Sequence, residues 1–279
     1  MKLIEKTSRN VSTNKKISKF DHRDINVGKV LINNFKIDSK TYILGILLCW
    51  IGIFCFIVQD GEINYYGKYY SLADCYIRML RPIAYSILMI PFLLIGTCRS
   101  TKFDFYIPQL LRRKSKKEIF LIQEIKLAGM SLFYALIYTL GVSLAGIKKT
   151  ESMINWGNMD SVFCINNRCT LPNISLANVI ILFFIITFIR NYLLSNIVLL
   201  IQWLCENATI GVFIVICISC FEITQEKVKI MLWIFTIDYP IWVNRSRRIE
   251  MLIFGFVYLL LAFLVFKIVI DHKEFLHEK

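Results

Sequence analysis

Few residues in this chain have the type and spacing that chemistry requires. Cys164 and Cys169 bracket Ile-Asn-Asn-Arg, a spacing at which two thiols close a small disulfide loop in an oxidising compartment. A zinc site there needs two further ligands, and His22, His272 and His277 fall in the two tails, so no metal is expected. Arg190 interrupts a long apolar stretch. An ionisable side chain in such a place marks a bundle interior or a water-filled pathway. Arg81 and Glu222 stand nearer the edges of apolar runs. There is no G-x-x-x-x-G-K-[ST] loop, no H-E-x-x-H and no Ser/His/Asp set. The chain is therefore expected to have no catalytic or cofactor-binding residues and to hold no ATP itself. A proton-coupled carrier would want a buried acid or histidine, and none is convincingly placed.

The elements that position these residues are apolar runs. The chain has 279 residues, of which 56% are apolar. A helix needs roughly 20 apolar residues to cross a bilayer core at about 1.5 Å per residue. Runs of that kind lie near 41–58, 80–97, 127–146, 178–204, 208–222 and 250–270. The fourth can be read as one overlong, tilted helix or as two segments breaking at Arg190. A single helix is preferred, because Arg190-Asn191-Tyr192 contains no turn former. The expected fold class is all-α: a six-helix transmembrane domain over 41–270, between a tail at 1–40 and another at 271–279.

Lys and Arg set the expected orientation. The first 40 residues carry ten of them and Arg99 to Lys126 carries eight, whereas Gln59 to Arg78 carries two. Both chain ends and the loop after the second run are thus assigned to the cytoplasm of a bacterial cell membrane. Asn244-Arg-Ser-Arg-Arg248 resists this assignment. The net charge of +13 fits a cytoplasmic face drawn to anionic lipid. Nucleic-acid binding would need stacking aromatics interleaved with the basic residues on a soluble face, and is discarded. No cleavable signal peptide is expected, because the first apolar run starts 40 residues in and no small-residue cleavage site follows it.

The loop Arg99–Glu118 carries seven basic residues against two acids, far more than a bare helix connection needs. Thr101-Lys-Phe-Asp104 and Ser115-Lys-Lys-Glu118 both have capping-box spacing. The second predicts a helix running from Ser115 through to Gly146. Ahead of that helix, Phe103, Phe105, Tyr106, Ile107, Leu110 and Leu111 form an apolar surface on a short segment limited by Pro108. It lies on the membrane or is presented to a soluble protein, and periodicity leaves both open. Upstream, Val27, Val30, Leu31 and Phe35 share one helical face, which predicts an interfacial helix. Met231 to Val243 is apolar but holds Asp238 and Pro240, which favours a re-entrant or interfacial helical hairpin over another span.

Taken together, these features resemble the permease subunit of a type-2 ATP-binding-cassette (ABC) exporter from low-GC bacteria. The resemblance is carried by Ile107-Pro-Gln-Leu-Leu-Arg-Arg-Lys-Ser-Lys-Lys-Glu-Ile-Phe-Leu-Ile-Gln-Glu-Ile-Lys126, by Glu206-Asn-Ala-Thr-Ile-Gly211 and by the basic and acidic exit Phe266–Lys273. Arg190, Arg245, Arg247 and Arg248 depart from the pattern. The resemblance implies that Ile107, Leu110, Leu111, Arg112 and Arg113 form a coupling helix seated in a groove on a separate ABC ATPase. It further implies a second permease copy or a sister permease, with ATP and Mg in the partner subunit. By analogy, the substrate is an antimicrobial peptide or a lipid-like compound. The alternative is a membrane immunity or sensor protein that binds a peptide at its outer loops without transport.

Overall fold

The computed structural model describes residues 39–64, 70–101, 115–225, 231–232 and 234–272. Among these the chain is all-helical, with a single isolated bridge between Ser71 and Ser152. The helices are α1 (Ser39–Asn64), α2 (Leu72–Met79), α3 (Pro82–Leu88), α4 (Ile90–Thr101) and α5 (Lys116–Lys149), followed by α6 (Val162–Asn167), α7 (Leu176–Cys205), α8 (Ala208–Thr224), α9 (Tyr239–Val243) and α10 (Arg245–His272).

Local sequence explains the main boundaries. Ser115 caps α5, its hydroxyl accepting from the Glu118 amide at 3.2 Å, and Lys148 and Lys149 close the last turn where the dipole favours cations. The 34 residues of α5 extend about 51 Å, well beyond a hydrocarbon core. α7 runs unbroken through Arg190 and Asn191, as expected, and stops at Glu206 in the left-handed region (φ 58). Asn207 then caps α8, accepting from the Thr209 amide at 2.8 Å. Two residues thus reverse the chain.

Four helices, α1, α5, α7 and α10, are long and apolar enough to cross a membrane. The second expected run is not one straight helix. Arg81 is extended ahead of Pro82, as a residue before proline prefers, and α3 and α4 meet at a 45° bend around Met89. Counted as one bent span, the pair brings the number to five. The fifth expected run, α8, has 17 residues and reaches only about 25 Å. The expectation of six spans is therefore met by four or five, because α8 ends short and the chain turns back into the bundle. The interfacial helix expected within 1–38 lies outside the described residues.

Lipid-type faces are plain on the outside of the bundle. Ile43, Leu47 and Ile51 on α1 and Phe256, Leu260 and Phe263 on α10 are large, apolar and exposed. Inside, α7 is central and packs on α4, α5, α8 and α10. Its contact with α8 depends on Gly211. A Cβ there would stand 2.9 Å from Val198 Cα and 3.0 Å from its carbonyl oxygen. Backbone cannot step aside as a side chain can, and small residues are what let membrane helices approach. Gly211→Val should part α7 from α8 and cost roughly 1–3 kcal/mol of overpacking, read as a lowered melting temperature in detergent. Gly157→Ala, whose added Cβ meets only ordinary contacts at 3.4 Å, is the comparison expected to melt close to wild type.

Candidate functional site

Three polar clusters are buried along the bundle. The first lies where α4 ends and α5 begins, the two anchors of the basic loop. Trp203 of α7 is fully buried and donates its indole N–H to Gln123 Oε1 of α5 at 2.7 Å. Gln202 Nε2 reaches the Thr101 carbonyl, the last residue of α4, at 3.5 Å. Phe120, Leu127, Leu199, Phe266 and Ile270 close an apolar shell around Trp203. Both ends of the loop are thereby tied to α7. Thr101 is helical, with its hydroxyl on the Thr97 carbonyl at 3.0 Å. Asp104, the other half of the expected capping box, lies outside the described residues. Ile107, Leu110, Leu111, Arg112 and Arg113 lie outside the described residues.

The second cluster surrounds Arg190, which has no exposed surface. Its Nη1 donates to the Leu80 carbonyl at 2.8 Å. Nη2 donates to Thr236 Oγ1 at 2.8 Å and to the Leu232 carbonyl. The guanidinium lies 4.8 Å from the Tyr85 ring centroid, and the Tyr85 hydroxyl donates to Asn191 Oδ1. Glu222, also fully buried, accepts from the amides of Met231 and Leu232, at 2.6 Å and 2.9 Å in its shortest bonds. The segment after α8 is thus drawn inward and pinned from two sides. Met231 to Val243 was expected as a helical hairpin. Its described residues instead form a buried turn followed by the five-residue α9.

The third cluster caps the opposite end of the bundle from the basic loop. Asp74, buried in the short α2, accepts from the Ser71 amide at 2.8 Å and the Ser71 hydroxyl at 2.7 Å through Oδ2, and from Trp156 Nε1 at 3.0 Å through Oδ1. Trp156, also fully buried, stacks on Phe163 at 4.7 Å and meets Trp242 at 5.5 Å. The amides of Leu72 and Ala73 donate to the carbonyls of Ser152 and Met153. Three stretches far apart in sequence are joined by one carboxylate and one indole. Burial pushes the Asp74 carboxyl above its ordinary value, against the lowering effect of its donors. Burial and the neighbouring Asp74 push the Tyr239 hydroxyl up as well.

Cys164 and Cys169 stand as free, half-buried thiols flanking the left-handed Arg168 that ends α6. Among the described residues no group of three or more His, Cys, Asp and Glu is arranged to hold a metal. Spacing did not single out Asp74, Trp156, Gln123 or Trp203. Their only signal is a polar or indole side chain set among apolar neighbours. No family model, curated protein or solved structure matches this chain.

Proposed function

We propose that this chain is the membrane-embedded permease subunit of an ABC exporter, working with a separate ATPase and a second permease copy or sister. The substrate class in this reading is an antimicrobial, bacteriocin-like peptide or a lipid-like compound, moved across a bacterial cell membrane. The observation that carries it is the anchoring of the basic loop. The Gln123–Trp203 bond and the Thr101–Gln202 contact tie both ends of residues 102–114 to α7, the central helix. A push on that loop therefore moves α4, α5 and α7 as one body rather than bending a slack connection. The tight Glu206–Asn207 turn passes the same motion to α8. In this reading Ile107, Leu110 and Leu111 supply the apolar knob and Arg112 and Arg113 the charge facing the ATPase. In this reading Arg190 holds the bundle together around the pathway.

A photo-crosslinker placed at Leu110 tests this in native membranes. The expected adduct contains a soluble protein bearing a G-x-x-x-x-G-K-[ST] loop. Adducts with lipid alone would assign the segment to the membrane surface and overturn the coupling role.

A further inference from the structure

A cleft of about 460 Å³ opens between the start of α3, the end of α6, the last turn of α8 and the start of α9. That volume falls within the roughly 300–1,000 Å³ typical of small-molecule sites. Its walls carry opposite charges, Arg81 and Asp238. Asn166 and Asn167 line the same space, and each uses one of its two amide N–H groups on its own helix, donating to Val162 O at 2.8 Å and Phe163 O at 3.3 Å. Each amide keeps its Oδ1 acceptor and a second N–H. Ile83 and Ile223 supply the apolar wall. Ile83 is 52% exposed on the first helix of the bent spanning pair, two residues after Arg81.

We propose that this cleft binds the headgroup of a zwitterionic phospholipid. The phosphate pairs with the Arg81 guanidinium, whose forked donors suit a phosphate. The ammonium is taken by the Asp238 carboxylate and the two asparagine carbonyls, all acceptors. The glycerol and first acyl carbons lie along Ile83 and Ile223, leading to the lipid-facing side. A short peptide also carries both charges, but an exposed isoleucine on a spanning helix beside Arg81 favours an occupant with one part in the bilayer. The proposal is independent of any transport role.

Native mass spectrometry of the full chain in detergent, with phosphatidylethanolamine or phosphatidylglycerol added, tests it. Wild type is expected to retain phosphatidylethanolamine. Asp238→Asn should weaken that lipid about tenfold, the worth of one charge-assisted bond, and spare phosphatidylglycerol. Arg81→Gln should weaken both. Ile83→Trp, which fills the cleft and keeps both charges, should also weaken both. Arg168→Gln, at an exposed site outside the cleft, should change neither. Phosphatidylethanolamine binding unchanged in Asp238→Asn and Ile83→Trp would overturn the proposal. So would displacement of the lipid by equimolar phosphoethanolamine, which would assign the cleft to a soluble zwitterion.

Discussion

Arg190→Ala is expected to lower the stability of the solubilised protein by about 3–5 kcal/mol, the range for removing one partner from a buried charged network. The size follows from what the guanidinium does. It donates to the Leu80 carbonyl at the α2–α3 junction and to Leu232 and Thr236 in the segment after α8. Removing it leaves the Leu80 carbonyl without that donor and opens a void in a site with no exposed surface. Glu222 and Asp238 lose the favourable field of a nearby positive charge. The opposing gain, relief from burying a guanidinium, is smaller because the charge already holds three acceptors and an aromatic face. Arg190→Lys should recover only part of the loss, since a point charge cannot fork between acceptors on two segments. Tyr85→Phe keeps the ring beneath the charge and gives up one bond to Asn191, about 1 kcal/mol. Thermal unfolding followed by tryptophan fluorescence ranks the three. An Arg190→Ala variant that melts with wild type would show that the clamp holds nothing.

Asp74→Ala carries the second largest expected effect, about 2–4 kcal/mol, because buried donors left without acceptors cost about 1–3 kcal/mol each. The Ser71 amide and Trp156 Nε1 lose their acceptor at once, and Trp156 centres the aromatic cap. The pH dependence has a defined sign. The Asp74 carboxyl is raised above the ordinary 3.8 in the folded protein, chiefly by burial. The unfolded chain therefore ionises first as pH rises. The stabilisation is full below about 3.8 and is lost as pH rises through the elevated folded value. Asp74→Asn, which cannot ionise, should flatten that slope. Melting temperatures of wild type and Asp74→Asn across acid pH are expected to converge or cross as pH rises. Parallel curves would remove Asp74 as the titrating group.

How much of this was legible in the sequence depends on the range of the signal. Apolar runs reflect the bilayer, so the long helices stood out, including α7 continuing through Arg190 for want of any turn former. Ser115 was legible because capping is a contact three residues long, and the Glu206–Asn207 turn because a polar break separated two apolar runs. The bend between α3 and α4 was half visible in Pro82, but Met89 carries no local mark. The cap was not legible, since Asp74, Trp156 and Tyr239 meet from across 165 positions and α2, α6 and α9 are too short for periodicity to detect. The basic loop was legible as charge and hydrophobicity, while its anchors, Gln123 and Trp203, looked like ordinary interruptions of apolar helices.

The coupling role is tested most directly by ATP hydrolysis in the purified assembly. The full chain is isolated from its native membranes under mild detergent, as wild type and as the Leu110→Asp, Leu111→Asp double variant, and vanadate-sensitive hydrolysis is measured in each. Hydrolysis that accompanies wild type and is lost from an equally folded double variant is the predicted result. Its absence from wild type, or its persistence in the double variant, would contradict an ATPase docked on this loop.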